Sequence, residues 1–196
     1  MNSNLRIAVI SGGTSAEASV SRVSAKGVTE ALSVNYRHIV NIELDGHLTN
    51  NLQAFRPDIV FPVLHGPPGE DGTLQGFLEM LGYAYVGSDV HSSAVAMDKI
   101  VAKHVFRAAN LPVIDQITVT IDNAITTSVE AINAQLGTYV VIKPARQGSA
   151  LGVMRVSNLN EMQEGLENAF KFDPRLLVEK RIDGKEITVG VLDTEN

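Results

Sequence analysis

The stretch Lys143-Pro144-Ala145-Arg146-Gln147-Gly148-Ser149-Ala150-Leu151-Gly152-Val153 joins two apolar runs through a short loop of small residues. Upstream, Tyr139 to Ile142 reads as a buried strand from its β-branched run, and Val153 to Val156 resumes that pattern after the loop. The spacing predicts a hairpin whose tip is a flap. Its glycines let backbone N–H groups approach phosphate oxygens, Ser149 adds a hydroxyl, and Lys143 sets a positive charge at the hairpin's root. An ordinary glycine-containing hairpin with a surface lysine accounts for the same residues.

Outward from the flap, a strand is expected at Gln116 to Thr120, a helix from Ser128 to Leu136, a helix from Asn158 to Phe170 and a strand at Leu176 to Lys180. Asn158 is placed to cap its helix, and Glu161 three residues on completes a capping-box-like pattern. Glu186 to Leu192 alternates like a further strand. Towards the N-terminus, Arg6 to Ser11 is an apolar strand broken by Gly12-Gly13. Val20, Val23, Gly27, Val28 and Ala31 then follow at helical spacing. Strand-like runs recur at His38 to Ile42, Ile59 to Leu64 and Ala84 to Val86, and Leu74, Phe77, Leu78 and Leu81 form a helical stripe stopped by Gly82. From Ser88 one long helix is expected, with Val90, Ala94, Met97, Val101 and Val105 on one stripe. Strands alternating with helices imply a parallel α/β sheet whose ligands sit beyond the carboxyl ends of the strands. Gly12-Gly13 and the loop His65 to Gly72 both fall there, so both are expected to face one crevice.

The composition excludes several classes. With 44% hydrophobic and 19% charged residues in 196, the chain is long enough for one large or two small cores. Acidic residues outnumber basic ones, 22 to 16, and the basic ones are scattered, which argues against a nucleic-acid partner. There is no cysteine, hence no disulfide and no thiolate chemistry. No apolar run approaches the roughly 20 residues that span a bilayer, and no apolar signal core precedes the first strand, so no membrane association and a cytoplasmic location are expected.

Single motifs each have a plain structural explanation. Asp71 can simply cap the helix that follows it, His65 can be a satisfied histidine at a strand end, and Glu17 can complement a helix dipole. Glu179-Lys180, Asp183-Gly184 and Glu186 can form a solvated turn, or else a hinge whose backbone meets a purine edge while Glu186 accepts from ribose hydroxyls.

In order and spacing, however, Gly12-Gly13-Thr14-Ser15-Ala16-Glu17 with Val20-Ser21, the His65 to Gly72 loop running into Leu74-Gln75-Gly76, Tyr85-Val86-Gly87-Ser88, Met97-Asp98-Lys99, Lys143-Pro144 with Gly148-Ser149, and Glu179-Lys180 with Glu186 resemble the D-alanine-D-alanine ligases. The resemblance covers nearly the whole chain. It implies an N-terminal Rossmann-like α/β substrate domain over 1–88, a central ATP-grasp α+β subdomain with the phosphate flap over 89–178, and the start of a C-terminal subdomain, incomplete, over 179–196. It also implies an ATP-dependent ligation of two D-alanines through an acyl phosphate, for peptidoglycan precursors.

Roles follow from the resemblance position by position. Glu17 is expected to bind the ammonium of the first D-alanine, Val20 and His65 to line its pocket, and Ser149 to hold the flap closed in a network with Glu17. Lys99 and Lys143 are expected on the ATP phosphates, Glu179, Lys180 and the backbone at Ile182 on adenine, and Glu186 on the ribose. Mg2+ is implied as well, with ligands expected beyond the end of this chain, so these residues alone are expected to be inactive. A homodimer through the N-terminal domain is implied. Two departures stand out: Ser149-Ala150 replaces the family's paired serines after the flap glycine, and Pro67-Pro68 stiffens the histidine loop. Rival readings are a sister ligase with a different second substrate and a non-catalytic remnant that binds a nucleotide or a partner.

Overall fold

A computed structural model describes residues 3–190. The chain forms two compact units, one of residues 1–113 with 144–152 and one of residues 114–143 with 153–196.

In the first unit the apolar run becomes β1 (Arg6–Ser11), followed by α1 (Ala18–Ser33), β2 (His38–Glu43), α2 (Leu48–Phe55), β3 (Ile59–Pro62), α3 (Thr73–Met80), α4 (Val90–Met97) and α5 (Lys99–Ala108). The three strands form a parallel sheet in the order β2-β1-β3, with Ile7 beside both Ile39 and Ile59. Its core is built on Ala8, Ile10, Leu52, Val60 and Leu78, all fully buried. Strands buried on both faces read as unbroken apolar runs, which is why β1 shows plainly in the sequence. α2 was not foreseen, although Leu48 and Leu52 bury one face of it four residues apart.

The inward face of α1 is made of small residues, and two expectations fail for identifiable reasons. The valine stripe of α1 does not face the sheet: Ala18, Ser21 and Ala25 do, while Val20 and Val23 are 54% and 74% exposed. The Ser21 hydroxyl donates to the Val63 carbonyl at 2.7 Å and accepts from the Gly12 N–H at 2.9 Å, so it is satisfied under the helix and the small residues admit close packing. The long helix from Ser88 is two helices. At Asp98 the backbone is extended, and its carboxylate accepts from the N–H groups of Ile100 and Val101 at 3.1 and 3.2 Å, capping a new helix. The proposed stripe splits accordingly, leaving Val101 and Val105 exposed while Ile100 and Ala102 are buried. Ala84 to Val86 shrinks to one parallel bridge between Tyr85 and Val60.

The second unit contains β4 (Gln116–Thr120), α6 (Ile125–Leu136), β5 (Val140–Pro144), β6 (Met154–Val156), α7 (Leu159–Ala169) and β7 (Arg175–Lys180). The sheet order is β4-β7-β5-β6, with β4 antiparallel to β7 and β5 antiparallel to β6. The hairpin expected around the flap is thus present, Val140 facing Val156. Ile132, Ile142, Leu166, Leu176 and Val178 close its core. Asn158 caps α7, its side chain accepting from the Glu161 N–H at 3.0 Å, and Glu161 reaches back to the Ser157 N–H at 2.8 Å, one residue earlier than a strict capping box.

The strand expected at Glu186 to Leu192 is not formed over Glu186 to Gly190, which has no regular structure; Val191 and Leu192 lie outside the described residues. Extended pairing needs a neighbouring strand, and none of the described strands pairs with this segment. The contact division also differs from the boundary expected at residue 88. α4 and α5 stay with the first unit, and so does the flap loop, whose Ala145 carbonyl accepts the Lys99 N–H at 3.0 Å. Among the described residues no helix is long and apolar enough to cross a membrane.

Candidate active site

In the first unit the loop leaving β1 is pinned before it reaches α1. Gly12 sits at a positive φ of 81°, a region that favours glycine, and a Cβ there would force the Glu43 carboxylate to move. The Gly13 N–H donates to Glu43 Oε1 at 3.1 Å, and Arg22 pairs with it at 2.5 Å. Hydrogen bonding from Arg22 holds the Glu43 carboxyl below the usual carboxylate range, with the Gly13 N–H adding to it and burial opposing. Glu43 and Arg22 are supports of this turn that sequence reasoning missed. Placing Glu43 at the carboxyl end of β2, one residue past the run read as a strand, was the available signal.

This pinned turn delivers Glu17 to the start of α1, where it makes no side-chain cap. Its carboxylate instead accepts the hydroxyl of Ser149, 132 residues away. A Cβ added at Gly66 would be 3.2 Å from Glu17 Oε2, and one at Gly148 3.5 Å. The carboxylate therefore lies between the histidine loop and the flap loop. The two carboxyl-end loops do meet, because the Ser15 hydroxyl donates to the His65 carbonyl at 3.0 Å. The His65 ring is drawn to Ser24, its Nε2 3.3 Å from the hydroxyl oxygen. Val20 lies on the exposed face of α1.

The flap loop is held at a second point. Lys99 opens α5, and its ammonium donates to the Gln147 carbonyl. Ser149 and Ala150 occupy the left-handed region, at φ 47° and 58°. Such a conformation costs a non-glycine residue roughly 1–2 kcal/mol, so the contacts at Glu17 and Lys99 hold the tip against its backbone preference.

In the second unit Lys143 on β5 forms an ion pair with Glu179 on β7. Sequence reasoning sent these two to different parts of ATP, and the fold places them together, with the Glu179 side chain only 6% exposed. Lys180 is exposed, its backbone N–H donating to the Asp115 carbonyl at 3.1 Å. The segment beyond β7 is anchored by Tyr139, whose carbonyl accepts the Arg181 N–H, whose ring carries the Arg181 guanidinium at 4.5 Å, and whose hydroxyl donates to Asp183 at 3.0 Å. That bond to a carboxylate raises the Tyr139 pKa. Ile182 and Glu186 follow in exposed chain without regular structure. Among the described residues no group of three or more acidic or histidine side chains is placed to hold a metal ion, so they do not by themselves make an Mg2+ site.

A parallel α/β unit followed by an antiparallel sheet bearing a glycine-containing flap defines a chain of the ATP-grasp class. Family models described as D-ala D-ala ligase N-terminus and D-ala D-ala ligase C-terminus match residues 43–88 and 105–196. The chain belongs to the D-alanine-D-alanine ligase family. It is 40% identical to the D-alanine--D-alanine ligase of Halalkalibacterium halodurans over 96% of its own length and 61% of that protein's. Among solved structures, it matches D-alanine--D-alanine ligase from Bacillus anthracis with a TM-score of 0.82 and 36% identity, over 92% of this chain and 58% of that one. The same enzyme complexed with ATP matches with a TM-score of 0.78 and 34% identity, over 92% and 60%. The chain thus spans about three fifths of the relatives it matches, 61% in the first case.

Proposed function

We propose that the protein acts in ATP-dependent joining of two D-alanines, and that Glu17, His65 and Ser149 form the part of its site that takes the first D-alanine. The observation that carries this reading is the Ser149 hydroxyl on Glu17, which brings the flap loop to the one carboxylate left uncapped at the head of α1. Glu17 binds the substrate ammonium, with Val20 and His65 beside it. Lys99 and Lys143 contact the ATP phosphates, Glu179, Lys180 and the Ile182 backbone read adenine, and Glu186 takes the ribose. The substrate carboxylate attacks the terminal phosphorus of ATP, giving an acyl phosphate and ADP. The amine of the second D-alanine then attacks the acyl carbon, and phosphate leaves as the dipeptide forms.

The acyl phosphate is lost to hydrolysis unless water is excluded, a task suited to a flap. Mg2+, when bound, would neutralise charge on the phosphates; the described residues offer no cluster for it. The reading carries a functional division into 1–88, 89–178 and 179–196, a cytoplasmic location where ATP is available, and a place in peptidoglycan precursor synthesis. It also includes a homodimer, supported by Val23 on α1 and Val34 at its C-cap, both strongly exposed.

ATP-dependent formation of D-alanyl-D-alanine by the protein tests the assignment, and ADP release independent of D-alanine defeats it. Calorimetry on the Lys143→Ala variant tests the phosphate role. Affinity for ATP is expected to fall by more than affinity for adenosine, which has no phosphate charge. Equal losses for the two ligands would leave Lys143 with only its ion pair to Glu179.

A further inference from the structure

His65 is gripped at three points within the first unit. Its carbonyl accepts the Ser15 hydroxyl at 3.0 Å, and the next N–H along the chain, that of Gly66, donates to Glu70 Oε2 at 2.7 Å. Its ring meets Ser24 on α1, with Nε2 3.3 Å from the hydroxyl oxygen. Two of the three grips come from the segment that carries Glu17, Ser15 from the turn before it and Ser24 from the helix after it. Glu17, Ser21 and Ser24 recur at i, i+4 and i+7, which is one face of a helix. A Cβ on Gly66 would lie 3.2 Å from Glu17 Oε2, so the histidine loop starts beside that carboxylate. A ring that leaves from there and ends at Ser24 runs along the face that Glu17 heads.

The Ser24 proton has one place to go. On a helix the usual acceptor for a serine hydroxyl is a carbonyl about one turn back. Ser33, further along α1, does this, donating to the Glu30 carbonyl at 2.7 Å. Ser24 makes no such bond among the described residues, where His65 Nε2 is its one partner. The contact is long, as hydrogen bonds in a site commonly are before a ligand closes it. A neutral imidazole that accepts at Nε2 carries its own proton on Nδ1. Nδ1 has no partner among the described residues and is not sealed in the interior. The bond also sets which way the ring is turned, because a ring flipped over would present a C–H to the hydroxyl. One serine thus decides both the orientation and the tautomer of the histidine.

We propose that Ser24 is a positioning residue: its hydroxyl donates to His65 Nε2 and holds the ring in the Nδ1–H form, whose N–H donates to the carboxylate of the first D-alanine. The second half of this inference rests on the proposed binding of that substrate's ammonium by Glu17. A long-range 1H–15N correlation spectrum of the histidine-labelled protein reads the tautomer directly, at a pH well above the ordinary histidine value of about 6.5. The parent is expected to show Nδ1 protonated and Nε2 bare. Ser24→Ala is expected to move the ring towards the Nε2–H form that neutral histidine favours in water, and Ser24→Thr, which keeps a hydroxyl, to retain Nδ1–H. Affinity for D-alanine is expected to fall roughly fivefold to tenfold in Ser24→Ala and to recover in Ser24→Thr. D-Alaninamide, which has no carboxylate charge, is expected to bind the parent and Ser24→Ala alike. An Nε2–H ring in the parent, or a tautomer that folded Ser24→Ala leaves unchanged, overturns the proposal, as does an equal loss for D-alanine and its amide. The proposed function fails separately: an Nδ1–H ring in a protein that takes no D-alanine would refute the Glu17 reading and keep the hold of Ser24 on the ring.

Discussion

Glu17 has a choice of partners that its position alone does not reveal. At a helix start it could have capped backbone N–H groups, yet it accepts the Ser149 hydroxyl. Under the proposed function Glu17→Gln weakens binding of the first D-alanine, and Ser149→Ala lowers turnover more than substrate affinity. The double variant is expected to lose less than the sum of the single losses, by about 0.5–3 kcal/mol, since each substitution already breaks the shared bond. Strict additivity would make the two residues independent. Glu43 allows a test that needs no ligand. Its folded pKa lies below the unfolded value, so its contribution to stability is present above the unfolded pKa and is lost as pH falls through the folded one. The stability gap between the parent and Glu43→Gln, read from urea midpoints, is expected to be full at pH 7 and to shrink below the ordinary carboxylate range near pH 4. A gap that does not change with pH would assign its effect to packing against Gly12.

At the scale of elements, legibility followed burial. β1 and β4 have the bounds that their apolar runs predict, and the flap hairpin forms where two β-branched runs flank a glycine loop. The helical spacing of the α1 valines locates the helix, because periodicity reports which residues share a face and not which face turns inward. Here the sheet is approached through alanines and a doubly bonded serine, leaving the valines outside. The break at Asp98 was legible in principle, since aspartate is a strong N-cap, but a continuous stripe across it hid the signal. Asp98→Ala is expected to cost about 0.5–2 kcal/mol by removing the cap of α5. Asp98→Asn is expected to restore most of it. Equal destabilisation by both substitutions, measured by denaturant unfolding, would show that charge and not the cap matters there.

Across the whole molecule the site was legible as a set of loops and not as a set of contacts. Lys143 and Glu179 were both singled out, but only the strand order that seats β7 next to β5 makes them partners. That order is set by pairing between residues distant in sequence, which no local pattern encodes. It also has a consequence for synthesis. The last strand of the second sheet to leave the ribosome, Arg175–Lys180, is an interior one, flanked by β4 and β5. Until it emerges, β4 has no antiparallel neighbour and the flap hairpin has one open side, so the nascent sheet presents two sticky edges at once. Arrested chains ending at Asp173 are expected to be captured by chaperones and cut rapidly by protease within residues 114–173, while chains carried past Lys180 resist. Equal resistance in the two would mean that the hairpin and its helices hold without their central strand. The nascent chain thus stays vulnerable until its keystone strand has been translated.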